Sequence, residues 1–188
     1  MSERTALVLF AHPDPEHSRV NRVLRDALTD LPGIVVHDLY ETYPELHIDV
    51  RREQRLLAAA DLLVFLHPVY WYSCPAILKE WQDVVLERGF AYGPGGDRLH
   101  GKDFWQAVST GGRAEAYRRD GYNRYTIEEM LRPFEATANI CGMRHHPPYV
   151  IHNSRHLDGA IVTRHAGELR RRLQGYRQYG AAALRGEG

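Results

Sequence analysis

Short strand-like runs alternating with segments of helical period constrain the fold of this chain more than any other feature. The runs are residues 5–11 (TALVLFA), 34–39 (IVVHDL), 61–67 (DLLVFLH), 103–109 (DFWQAVS) and, more loosely defined, 143–151 (MRHHPPYVI). The first is apolar almost throughout, the pattern of a strand covered on both faces. Residues 18–31 instead set Val20, Val23, Leu24, Ala27, Leu28 and Leu31 on one helical stripe, with Ser18 suited to the N-cap and Pro32-Gly33 to the end. Further helices are expected over 49–60 (Asp49 as N-cap), 75–87 (Pro75 in the first turn), 126–139 (kinked or divided at Pro133) and 158–183 (shortened at Gly175 or Gly180). Residues 40–48, 89–101 and 110–122 read as irregular. Strands alternating with helices imply an α/β architecture: a doubly wound five-stranded parallel sheet, helices on both faces, right-handed crossovers.

With 188 residues and no internal repeat, the chain is expected to form a single domain over 1–188. Lysines and arginines balance aspartates and glutamates at zero formal net charge, so no global field favours nucleic acid or an anionic membrane. Two cysteines, Cys74 and Cys141, give neither a disulfide framework nor metal-ligand spacing, and no metal site is expected. The early apolar run is too short for a signal peptide or a membrane span. These readings predict a cytoplasmic protein.

In an open parallel sheet, ligands bind beyond the carboxyl ends of the strands. The loops after the runs are therefore where function is expected. The first, from His12 to Asn21, is a strand-to-helix turn. The Ser18 hydroxyl, the N–H groups of Ser18, Arg19 and Val20, and the side chains of His12 and Asn21 could hold a monophosphate there. The same groups read equally well as a helix cap and a self-bonded loop. The second, PVYWYS, carries Pro68, Val69, Tyr70, Trp71 and Tyr72. Three successive large aromatics cannot all face one core, so some face a flat ligand, a partner or solvent. The third, STGG, is Ser109, Thr110, Gly111 and Gly112, with Tyr117 beyond. Its glycines permit close backbone approach to a carbonyl oxygen, or form a plain turn.

Other candidates read as structural. His145 and His146 are adjacent in a strand, so they point to opposite faces and belong to the surface. Arg113, Arg118 and Arg119 either meet a phosphate or form a solvated loop, and Arg170, Arg171 and Arg172 read as a solvated helix side. Cys74 has no neighbouring base to make it a nucleophile. No G-x-S-x-G elbow is present, which counts against an α/β-hydrolase.

Taken together and in order, AHPDPEHSRVN (residues 11–21), HPVYWYSCPAILKEWQDVVLERGFAYG (67–93) and STGG…Y (109–117) resemble the flavodoxin-like NAD(P)H:quinone oxidoreductases. The branch most resembled is that of the ancillary proteins of bacterial glutathione-regulated potassium-efflux systems. The middle motif is the specific one. The resemblance implies a flavodoxin-like fold with FMN, or alternatively FAD, bound by these loops in a homodimer. His12, Ser18, Arg19, Val20 and Asn21 would lie at the flavin phosphate. Pro68, Val69, Tyr70, Trp71 and Tyr72 would line the ring, and Ser109, Thr110, Gly111 and Gly112 would contact its polar edge. Tyr117 matches a tyrosine that works beside a histidine in mammalian members, but that histidine's place falls near Asn123 here. The resemblance further implies two-electron ping-pong transfer from NADH or NADPH through flavin N5 to a quinone or similar electrophile. Alternatively, the chain is a regulatory subunit docking on and activating a potassium-efflux transporter at the inner membrane, with the Arg-rich C-terminal helix as a candidate docking face. A one-electron flavodoxin-type carrier fits less well, because such carriers are strongly acidic.

Overall fold

The computed structural model describes residues 3–185. Its sheet has strands β1 (Ala6–Phe10), β2 (Ile34–Asp38), β3 (Leu62–Pro68), β4 (Asp103–Ser109), β5 (Arg144–His145) and β6 (Tyr149–Ile151). They run parallel in the order β2-β1-β3-β4, with β5 and β6 side by side in sequence along the far edge of β4. Every residue of β1, β3 and β4 is buried, as their apolar runs demand for central strands covered twice.

The pleat divides these strands into two cores. Leu7, Leu9, Leu63, Phe65, Phe104 and Val108 face α3 (Val50–Ala59), α4 (Ala76–Val85), α5 (Ile127–Met130) and α6 (Arg132–Ile140). Phe65 is the hub, meeting Phe104, Trp81 and Phe134 edge-on at 4.9, 5.9 and 6.2 Å. Ala6, Val8, Phe10, Leu62, Val64, Leu66, Trp105 and Ala107 face α1 (Asn21–Asp26) and α7 (Gly159–Tyr179).

Two buried carboxylates tie the layers. Glu53 on α3 accepts from Tyr43 OH (2.6 Å), His37 Nε2 (2.9 Å) and Trp81 Nε1 (2.9 Å). Burial pushes its pKa up, but these hydrogen bonds outweigh burial and hold it below the usual range. Asp103, the first residue of β4, accepts from His146 Nε2 (2.7 Å), Arg144 Nε (2.8 Å) and Nη2 (3.0 Å), and Tyr176 OH (2.8 Å). There too burial is outweighed, and the carboxyl stays ionised far below its ordinary range.

Several expectations are corrected. The regular part of α1 begins at Asn21 and ends at Asp26, not 18 to 31. Its formal N-cap is Val20, although Ser18 Oγ accepts from Asn21 N–H (3.1 Å) in the manner of a cap. Beyond Asp26 the Thr29 hydroxyl bonds Asp26 O and the backbone tightens, yet Leu28 and Leu31 stay in the core. Residues 40–48 are not wholly irregular: Asp38 caps a single turn, α2 (Leu39–Thr42). The helix expected over 126–139 divides at Leu131, with Thr126 and Glu129 forming a capping box on α5 and Pro133 in the first turn of α6. The last strand is two short pieces, because Pro147 and Pro148 between them have no N–H to give the ladder. Gly180, at φ 72°, ends α7, while Gly175 lies within it.

His146 is not a surface residue; it is buried against Asp103, and its neighbour His145 turns to the opposite face beside Phe104. The run Arg170–Arg172 of α7 is tied down rather than free. Arg170 pairs with Asp30, Arg171 and Arg172 with Glu168, and Arg172 also stacks on Tyr149 at 4.8 Å. Among the described residues no group of three or more His, Cys, Asp or Glu could hold a metal, and no helix is long and apolar enough to cross a membrane.

Candidate active site

The carboxyl ends of β1, β3 and β4 open onto a cleft of about 350 Å³, within the range of roughly 300–1,000 Å³ common to ligand pockets. His12, Ser18, Arg19, Val20 and Asn21 line one wall, Pro68, Val69 and Tyr70 the floor, and Ser109 and Gly111 the far side. The three loops singled out by sequence therefore meet at one place.

The first wall offers donors. Asp14 N–H donates to His12 Nδ1 (3.1 Å), so the neutral ring carries its proton on Nε2. Burial lowers the His12 pKa and keeps the ring neutral. Ser18 N–H does not point to a ligand, because it donates to Pro15 O (3.0 Å). Among the described residues nothing accepts from the N–H groups of Arg19 and Val20, and the Ser18 hydroxyl proton is free to donate. Asn21 Nδ2 donates to Ser109 Oγ (2.8 Å), joining the first loop to the third, while its buried Oδ1 has no partner.

Of the aromatics, Tyr70 borders the cleft and meets His12 edge-on at 6.2 Å. Trp71 and Tyr72 do not line the cleft. They form the tip of a tight turn between paired Tyr70 and Ser73, with φ of 48° and 65°. Two consecutive left-handed non-glycine residues cost about 1–2 kcal/mol each. Trp71 is 93% exposed at this tip.

On the far side, Thr110 is buried and engaged: its N–H donates to Ile151 O (2.9 Å) and its hydroxyl to Gly112 O (2.8 Å). It shapes the turn; of the two glycines that follow, Gly111 lines the cleft and Gly112 does not. A Cβ at Gly112 would stand 3.2 Å from the Tyr117 ring, close enough that the ring would have to shift. Asn123 is held by its backbone to Ala116 O. The histidine beside Tyr117 is instead His152, whose ring lies 5.3 Å away at 34°. With the Thr110 proton committed to Gly112, His152 Nδ1 is the donor in its 3.0 Å contact with Thr110 Oγ1. Sequence reading missed His152, together with Ser154 and Arg155, which close the cleft from the loop after β6. Only the position of that loop at a strand's carboxyl end hinted at it.

Cys74 is half-buried, and burial raises its thiol pKa, which fits an inert side chain. Arg113 and Arg118 are exposed, and Arg119 pairs with Glu129.

Residues 4–173 match the family described as having a flavodoxin-like fold. The ancillary protein KefG of the glutathione-regulated potassium-efflux system of Enterobacter sp. (strain 638) is 48% identical over 161 residues, 85% of this chain and 87% of that protein. The chain belongs to the flavodoxin-like family. Two solved relatives superpose on it closely. General stress protein 14 from Treponema denticola, solved in complex with FMN, is 40% identical with a TM-score of 0.83, covering 88% of this chain and 95% of that one. An NADPH-quinone reductase from P. pentosaceus is 30% identical with a TM-score of 0.82, covering 93% and 98%.

The cleft meets the demands of a flavin mononucleotide on its own chemistry. It sets open N–H groups and Arg19 along one wall and the bare backbone of Gly111 on the far side.

Proposed function

We propose that the chain is an FMN-dependent NAD(P)H:quinone oxidoreductase. The observation that carries this reading is the convergence of a loop with open N–H groups, a floor of Pro68, Val69 and Tyr70, and the Gly111 backbone on one cleft. Its family membership and the FMN complex of its relative from Treponema denticola support the cofactor. Arg19, the Val20 N–H, the Ser18 hydroxyl and His12 Nε2–H hold the phosphate. Pro68, Val69 and Tyr70 support the ring, and the N–H groups of Gly111 and Gly112 meet its polar edge. Bound there, FMN supplies two-electron exchange between NADH or NADPH and a quinone-like acceptor, each using the same face in turn. Tyr117, beside His152 and next to Gly112, serves as the hydrogen-bond donor to the acceptor's oxygen. Trp71 and Tyr72 reach the ring from a second copy of the chain, so the working unit is a homodimer. Steady-state rates of the FMN-loaded protein, with donor and quinone varied together, should give parallel double-reciprocal lines. Intersecting lines would exclude the shared face.

A second role rests on the 48% identity with KefG. In it the chain, cytoplasmic and peripheral to the membrane, binds a potassium-efflux transporter and activates it. Arg170, Arg171 and Arg172 are paired within the chain, which makes that stretch of α7 a poor docking face. Co-purification with the transporter, and potassium efflux measured with and without the chain, test this role. Unchanged efflux would remove it.

A further inference from the structure

The loop after β6 brings a cation to the glycine side of the cleft. Thr110 N–H donates to Ile151 O (2.9 Å), Ser154 N–H to Thr110 O (2.9 Å) and Asn153 N–H to Gly112 O (2.8 Å), so this loop is laced to the Gly-Gly turn by main chain. Asn153, at φ 59°, then reverses the chain and returns Ser154 and Arg155 to the cleft. The Arg155 side chain lies over Gly111: a Cβ at Gly111 would stand 3.6 Å from Arg155 Nε and 4.0 Å from Cζ. Its backbone is held from the opposite wall, where Arg19 Nη1 donates to Arg155 O (3.2 Å). Among the described residues Arg155 forms no ion pair, whereas Arg25, Arg144, Arg170 and Arg177 each hold a carboxylate. A positive charge packed on bare backbone, pinned at its main chain and without an internal partner, is arranged for an external negative charge.

Resting on the FMN reading above, we propose that Arg155 is the residue that sets the reduction potential of the bound flavin. Its guanidinium stands at the glycine edge of the cleft, where the N1–C2=O side of the ring lies in that reading. Two electrons and one proton taken from the nicotinamide leave one negative charge on that side, and the donor leaves oxidised. Arg155 offsets that charge, so no second proton has to be taken up at N1. Arg19, at the other wall, serves the phosphate, whose charge is the same in both redox states, and so it sets affinity rather than potential.

The test uses the full chain loaded with FMN, its midpoint potential read anaerobically against a reference dye and its FMN affinity by titration. Arg155→Ala should weaken the preference for the reduced form about tenfold, which lowers the potential by about 30 mV for a two-electron couple. Its affinity for oxidised FMN should change by less than about threefold. Arg155→Lys should keep most of the potential, and added salt should narrow the difference between Arg155→Ala and the parent. Arg19→Ala should weaken both redox states alike and leave the potential in place. An unchanged potential in Arg155→Ala, or an equal loss of affinity in both states, would overturn the proposal while leaving the FMN site standing. Failure of the unsubstituted chain to take up FMN would instead remove the reading beneath it.

Discussion

Strand β4 begins and ends in opposite chemical circumstances. At its amino end, Asp103 is buried and receives hydrogen bonds from His146, Arg144 and Tyr176. Nearby, Asp61 accepts from the backbone and hydroxyl of Thr5, and Lys102 Nζ donates to the carbonyls of Ala58 and Ala60. At its carboxyl end, Ser109 borders a cleft with an unpartnered Asn21 oxygen, arginines without carboxylates, and left-handed residues at Trp71, Tyr72 and Asn153. One end ties its carboxylates to side chains and backbone within the fold; the other sets N–H groups and arginines without carboxylate partners at a cleft. The difference separates residues that hold the fold from residues that wait for a ligand.

The largest expected effect lies at the closed end. Asp103→Asn removes the charge that Arg144 and His146 face, and should lower unfolding free energy by about 3–5 kcal/mol. Urea unfolding measures it, and FMN uptake by the folded fraction should not change. If uptake fell while stability held, the division between the ends would be wrong.

Next is His67, fully buried beneath the cleft floor. Its Nδ1–H donates to the Pro68 carbonyl (2.9 Å), its Nε2 has no partner, and burial lowers its pKa to about 4. The folded state thus keeps the ring neutral where the unfolded chain, near pKa 6.5, takes up a proton. Stability from this residue is complete above pH 6.5 and is lost as pH falls toward 4, amounting to at most about 3 kcal/mol. Denaturant midpoints across that range should fall more steeply in the parent than in His67→Gln. Equal slopes would mean the ring is solvated.

The smallest effect has the opposite sign. Replacing Trp71-Tyr72 with Asn-Gly suits a two-residue turn with both φ angles positive, and should stabilise the chain by about 1–2 kcal/mol. Flavin affinity should decline if, as proposed, these side chains wall the ring of a second copy. A loss of stability would show that the aromatics pack the fold instead.

The sequence made the open end more legible than the closed one. Apolar runs at β1, β3 and β4 marked the central strands, and position at their carboxyl ends marked the loops. Local signals also placed Asp49 as a cap and Pro133 at a division. Contacts between distant segments left no such trace. The Asp103 cluster joins β4, β5 and α7, and made two adjacent histidines look like surface residues. His152 and Arg155 sit in HNSRH, whose composition is that of any polar loop. Only the lacing of residues 151–154 to the Gly-Gly turn brings them to Tyr117 and Gly111. The shortened α1 reflects competition between the Thr29 hydroxyl and the helix ladder, which a hydrophobic stripe does not report.

Titration of the purified chain with FMN and, separately, with riboflavin, followed by flavin fluorescence, probes the open end most directly. FMN should bind with quenching at one site per chain, and riboflavin, without the phosphate, at least about a hundredfold more weakly. Equal binding of the two, or no binding of either, would contradict a cleft built to hold a flavin by its tail.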